Sequence, residues 1–122
     1  MRVVPVRFTA DPAAMRRFLE ALGLATTVQA DSGGWVALDG SGGGVGLHAV
    51  ASADEPRSPG HTDLSFESDE PLEAVHARLA AAGFEADIVD ESFGRSLRVV
   101  DPDGVTVQVN EAMRDDYGYT RS

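Results

Sequence analysis

Residues 44–49, "GVGLHA", and residues 104–109, "GVTVQV", line up without a gap at an offset of 60 residues. Gly44 meets Gly104, Val45 meets Val105, Leu47 meets Val107 and His48 meets Gln108. Both stretches alternate with period two, as a half-buried strand does. The same offset relates Gly23-Leu24 to Gly83-Phe84, and each pair closes an amphipathic run. In "PAAMRRFLEALG" Met15, Phe18, Leu19 and Leu22 share one helical face, and in "EPLEAVHARLAAAG" Leu72, Val75, Leu79 and Ala82 do. A left-handed glycine followed by a large apolar residue is a common helix ending. Ahead of the helices "VVPVRFTAD" and "HTDLSFESD" alternate as strands; behind them lie the β-like runs "ATTVQA", "WVALD", "EADIVD" and "SLRVVD". The chain reads β-α-β-β-β twice.

The expected fold class is therefore α+β, with two βαβββ modules in tandem. With 122 residues, one domain is expected: module one 1–50, a linker 51–60, module two 61–112 and a C-terminal tail 113–122. The linker, "ASADEPRSPG", has the Pro, Ser and Gly content of a connection. "DGSGGGVG" is glycine-rich enough to suggest a phosphate loop. It lacks the Gly-Lys-Ser/Thr ending and leads into a strand, so it reads as a turn.

Composition removes several classes. Ten basic residues stand against twenty acidic ones, a formal net charge of −10, which repels nucleic acid and anionic membrane. Every basic residue is Arg, so no Schiff-base lysine is available, and without Cys there is no thiolate, disulfide or Cys-zinc site. No apolar stretch approaches the length of a membrane span, and the amino terminus lacks a secretory block, so a cytoplasmic location is expected.

Strand alternation sorts the side chains. Val4, Val6 and Phe8 oppose Val3, Pro5, Arg7 and Thr9; Val36 and Leu38 oppose Trp35 and Ala37; Val45 and Leu47 oppose Gly46 and His48. Further on, Leu64 and Phe66 oppose His61, Asp63, Ser65 and Glu67, Leu97 and Val99 oppose Ser96 and Arg98, and Val105, Val107 and Val109 oppose Thr106, Gln108 and Asn110. The apolar sets are expected under the helices, and the polar sets on a ligand-facing surface.

With these features in place, the chain resembles the vicinal oxygen chelate superfamily, which contains glyoxalase I, bleomycin-resistance proteins and extradiol dioxygenases. "GHTDLSF", "ARLAAAGFEA" and "GRSLRVVDPDGVTVQV" are similar to the opening strand, helix end and closing strands of its second module. The resemblance implies a cup-shaped, barrel-like mixed sheet with the helices outside, and commonly a homodimer. Metal-using members hold a divalent ion in the cup, such as Zn, Ni, Fe or Mn, with ligands from the first and last strands of each module. Here those positions fall at His61, at Gln108 where Glu is usual, and at His48, with Gly46 as another alignment; the fourth falls at Val3 or Val4. Neither valine binds a metal, and an amide is a weak ligand.

His48 and His61 thus have three readings: a metal pair with Gln108, a catalytic acid and base, or hydrogen-bonding contacts to a ligand. Trp35 either stacks on a ligand or fills a core or subunit contact. Arg7 and Arg98 either hold an anionic group or pair with Asp63 and Glu67. His76 lies beside a helical apolar stripe and is expected to have no functional role. The function expected is binding of a small organic molecule without a full metal site; the alternative is a metal-dependent lyase or isomerase of the glyoxalase type. The expected partners are a small-molecule ligand or substrate and a second copy of the chain, with no nucleic acid and no membrane.

Overall fold

The computed structural model describes residues 1–50, 57–91, 94–111 and 118–122. Each half has the β-α-β-β-β order, with its opening strand broken in two. β1 (Arg2–Val3) and β2 (Val6–Thr9) flank Pro5, which has no backbone donor to continue a ladder. α1 (Pro12–Leu22) begins at Asp11, whose side chain accepts a hydrogen bond from the Ala14 amide at 3.0 Å, and has Pro12 where no N–H is needed. It stops at Gly23, which adopts φ 113°, as the glycine-apolar ending implies. β3 (Ala25–Ala30), β4 (Trp35–Gly40) and β5 (Gly43–Ala49) follow. Ser41 and Gly42 join β4 to β5, so the glycine-rich stretch is a hairpin turn.

The second half has β6 (Thr62–Asp63), β7 (Ser65–Glu67), α2 (Leu72–Ala81), β8 (Ala86–Glu91), β9 (Gly94–Val100) and β10 (Thr106–Asn110). β11 (Tyr119–Arg121) pairs antiparallel with β3, so the end of the expected polar tail is an edge strand. Backbone groups left open along Val28–Ala30 supply the pairing, which alternation in a three-residue segment does not reveal.

The broken opening strands are exchanged between two sheets. One sheet has the order β1-β7-β10-β9-β8 and the other β11-β3-β4-β5-β2-β6. β1 therefore joins the strands of the second half, and β6 joins those of the first. The described residues divide into two compact units accordingly. One takes Met1–Val3 and the chain from Leu64 through β10; the other takes Val4–Asp63 and the C-terminal strand.

Each unit has its own core beneath its own helix. In the six-stranded unit Leu19, Val36, Leu38 and Leu47 form the buried cluster, with Met15, Leu24 and Val45 against it. In the five-stranded unit Leu72, Val75, Leu97 and Val109 do so, flanked by Phe66, Leu79, Ile88 and Val99. Full burial of each such aliphatic side chain contributes about 1.5–3 kcal/mol. Leu64 departs from the expected pattern. It stands between β6 and β7, outside both ladders, and is exposed. His76 Nε2 meets the Ala86 carbonyl at 2.9 Å and links α2 to β8.

Arg95 ties α2 to the strands of the five-stranded unit. Its Nη2 donates to Glu73 Oε1 at 3.0 Å, and its backbone amide donates to Glu111 Oε1 at 2.8 Å. The Arg95 guanidinium holds the Glu73 carboxyl down from 4.5 to about 2. A depressed carboxylate stabilises the fold above its unfolded pKa, and that contribution disappears as pH falls through the folded value. Acid unfolding followed by circular dichroism is therefore expected to separate wild type from Glu73→Gln above about pH 4.5, with the two curves converging as pH approaches about 2. A difference constant down to pH 2 would contradict this.

Candidate functional site

The six-stranded sheet carries a row of four rings, three on neighbouring strands and the fourth, His61, just before β6. On β4 and β5, Trp35 stands opposite His48. β2 runs parallel to β5 with Phe8 beside His48. β2 then pairs antiparallel with β6, and the Phe8 amide donates to the His61 carbonyl at 2.8 Å. The ring centroid of Phe8 lies 5.0 Å from that of His48 and 5.9 Å from that of His61. Side chains aligned across a ladder share a face, so Trp35, His48, Phe8 and His61 all lie opposite the Leu38 and Leu47 side.

The neighbouring row is small and polar: Ala37, Gly46, Val6 and Asp63. The Trp35 indole fills the space above Gly46, where a β-carbon would stand 2.2 Å from Cη2. Asp63 joins two neighbours. Its Oδ1 lies 2.7 Å from His61 Nε2, and Arg57 Nε donates to its Oδ2. The Arg57 guanidinium also lies 5.5 Å from the Phe8 ring centroid, within cation–π range. His48 places Nδ1 2.8 Å from the Ala49 carbonyl oxygen.

This arrangement corrects the expected sorting of the first strand. Phe8 is buried on the imidazole face, and Arg7 stands opposite Leu47 on the helix-facing side. The parallel register between β2 and β5 decides that placement, and alternation alone does not reveal it. Arg7 Nε donates to Thr62 Oγ1 at 2.7 Å, whereas Arg57, absent from the expected site, pairs with Asp63.

Gln108, Arg98 and Glu67 belong to the five-stranded unit. There Ser65, Gln108, Arg98 and Asp87 are aligned across β7, β10, β9 and β8, on the face opposite Leu97 and Val109. Gln108 Nε2 donates to Asn110 Oδ1 at 2.8 Å. Arg98 pairs with Glu91, and the fully buried Ser96 hydroxyl donates to the same Glu91 oxygen at 3.2 Å. Glu67 lies 3.9 Å from an Arg2 nitrogen. Glu111 turns to Arg95, on the side away from Gln108.

Comparison with known proteins agrees with this topology. The sequence model of the glyoxalase/bleomycin resistance protein/dioxygenase superfamily matches residues 3–109. The chain belongs to that superfamily. No curated protein matches it in sequence. Among solved structures it is similar to a glyoxalase/bleomycin resistance protein/dioxygenase superfamily member from Vibrio splendidus 12B01, with 19% identity, TM-score 0.60, and coverage of 90% of this chain and 97% of that one. It is also similar to a structure described as NAD-dependent benzaldehyde dehydrogenase from Legionella pneumophila, with 19% identity, TM-score 0.65, and coverage of 90% and 98%. A third, hypothetical protein BH1468 from Bacillus halodurans C-125, has 15% identity, TM-score 0.60, and coverage of 92% and 94%. At these identities the likeness is one of fold.

Superfamily membership raises the question of a divalent ion. The residues at the ligand positions do not suit one. Phe8 on β2 stands between His48 on β5 and His61 beside β6. The neighbouring carboxylate, Asp63, is already engaged by His61 and Arg57. Gln108 is a neutral amide, and among the described residues no three His, Cys, Asp or Glu side chains gather to hold a metal. A catalytic zinc-type site needs three firm protein ligands. The donor set does not fit a resident divalent ion.

The close fit of Trp35 over Gly46 gives a direct test. Gly46→Ala is expected to drive the indole off this position, costing about 1–3 kcal/mol in denaturant unfolding and shifting the tryptophan emission. Trp35 is the only tryptophan, so its emission reports this displacement alone. Unchanged emission and stability would show that the indole does not rest there.

Proposed function

We propose that this superfamily member binds a small planar organic molecule against the Trp35–His48–Phe8–His61 row, without a resident metal. The observation that supports this reading most strongly is the row itself: three rings aligned across β4, β5 and β2, with His61, which precedes β6, beside them. A row of rings in which Trp35 and Phe8 alternate with two imidazoles suits an aromatic guest, which gains contact area, offset or edge-to-face stacking and polar contacts. His48, His61, Trp35 and Asp63 are the residues assigned to the contact. Arg57 acts through Asp63. Arg7, turned to the other side of β2, is assigned no contact with the ligand.

Arg98 and Glu67 are assigned supporting roles in the other unit, because each already has an ionic partner. Superfamily members include enzymes as well as binding proteins, so the fold leaves that choice to the side chains. Here the tethered carboxylate and the absence of a fitting donor set favour binding over metal-assisted turnover.

Titration of purified protein with planar bicyclic aromatics is expected to quench Trp35 emission saturably, with dissociation constants of roughly 10–1000 micromolar for ligands of that size. The compounds should be recovered unchanged. Absence of saturable quenching across such a panel, or consumption of a bound compound by metal-free protein, would overturn the binding reading.

A homodimer is also proposed. Phe18 and Leu22 of α1 are exposed apolar side chains of the six-stranded unit and provide area that an isologous contact would cover. Sedimentation velocity at about 10 micromolar protein is expected to give a dimer; a monomer at that concentration contradicts the assignment.

A further inference from the structure

The two imidazoles of the ring row are held in complementary tautomers. His48 Nδ1 lies 2.8 Å from the Ala49 carbonyl oxygen, which only accepts, so the ring hydrogen sits on Nδ1. Its Nε2 is then a lone-pair acceptor. His61 Nε2 lies 2.7 Å from Asp63 Oδ1, while Arg57 Nε donates to the other carboxylate oxygen, so in the neutral imidazole His61 donates through Nε2. Its Nδ1 becomes the acceptor. Among the described residues neither His48 Nε2 nor His61 Nδ1 has a hydrogen-bond partner. Both side chains are exposed, and both lie against the ring of Phe8.

The charges around the row argue against an anionic guest. Arg57, the cation beside Phe8, is neutralised by Asp63, and the whole chain carries a formal −10. A flat guest therefore meets two hydrogen-bond acceptors and no free cation among these side chains. We infer that the row selects planar molecules carrying hydrogen-bond donors, hydroxyl or ring N–H groups of the phenol or indole kind, over equally flat molecules whose polar atoms only accept. This rests on the ring-row reading above and adds a chemical class to it. Asp63 and Arg57 are positioning residues in this scheme, since they fix the proton on His61 Nε2 and leave Nδ1 free.

Equilibrium dialysis of the full chain with three matched probes tests the inference: 2-naphthol, 2-methoxynaphthalene and 2-naphthoate. The first two share a ring system, and methylation removes only the donor. 2-Naphthol is expected to bind about threefold to tenfold more tightly than its methyl ether, the range of one net hydrogen bond. 2-Naphthoate should be the weakest. His61→Phe and His48→Phe each keep a ring in the row and leave one acceptor. It is therefore the double variant that is expected to lower 2-naphthol affinity to that of the ether, which stays within about twofold of its wild-type value.

Asp63→Asn, which loosens control of the His61 tautomer, is expected to lower the naphthol-to-ether ratio without removing ether binding. Equal binding of 2-naphthol and its ether to wild type would overturn the donor preference and leave the ring-row reading intact. No binding of either compound at about 1 millimolar would overturn both. Tightest binding of 2-naphthoate, or a donor preference that survives in the His48→Phe, His61→Phe double variant, would also refute the inference. The wild-type comparison needs no variant to fold.

Discussion

The parallel pairing of β2 with β5 sets Phe8 beside His48, and the chemistry of the site depends on that register. A slip of one residue would turn every β2 side chain to the other face of the sheet. Arg7 would then lie beside the imidazole and Phe8 would press on Leu47 beneath α1. Beyond the ladder itself, backbone bonds at its ends help hold the observed alignment. The Gly46 amide donates to Pro5 at 2.9 Å and the Val50 amide to Thr9 at 3.0 Å; across β6, the Phe8 and Gly60 amides bond to His61 and Phe8 carbonyls, each at 2.8 Å. Pro5 contributes only an acceptor, which is why the strand can break there without leaving a donor unpaired.

The helix adds a constraint from the other end of the strand. Thr9 is buried and its Oγ1 accepts from the Asp11 amide at 3.1 Å, while Asp11 in turn caps α1. Only Ala10 and Asp11 separate β2 from the first helical residue, so sliding β2 would drag α1 off the Leu38 and Leu47 surface that buries Leu19. Core packing and site geometry are thereby coupled through a two-residue turn. In the five-stranded unit four residues, Ser68 to Pro71, separate β7 from α2, and Ser65 occupies the place beside Gln108 that Phe8 holds beside His48.

Much of the architecture could be read from the repeat. The helix ends at Gly23 and near Gly83, the closing strands with Leu47 and Val107 buried, and the division of Ser96 and Arg98 from Leu97 and Val99 all follow from period and punctuation. Local signals of that kind are written in consecutive residues. What escaped them is non-local. Phe8 reads as a core residue because it is apolar, and it is buried, yet by the rings of the site as well as by backbone. Its face depends on a partner strand some 40 positions away, as the pairing of residue 8 with residue 48 shows. Arg57 escaped for a similar reason, since it lies in the expected linker and acquires its meaning only from Asp63.

The same reasoning separates the chemistry of the two repeats despite their common topology. His48 and Gln108 hold matching places on β5 and β10, each on the face opposite its helix. Around His48 the aligned neighbours are rings; around Gln108 they are Ser65, Arg98 and the hydroxyl- and carboxylate-bearing groups of Ser96 and Glu91. The Gln108 amide spends its donor on Asn110 two residues along the same strand, which fixes the side chain by a local bond. An amide so held needs no metal to account for its presence on a strand. Beside Gln108, Arg98 has a carboxylate partner and the buried Ser96 hydroxyl an acceptor, whereas the ring row retains two imidazole acceptors without partners among the described residues. This asymmetry supports the proposed binding on the six-stranded sheet, where a donor on a guest would replace water at two exposed imidazole acceptors.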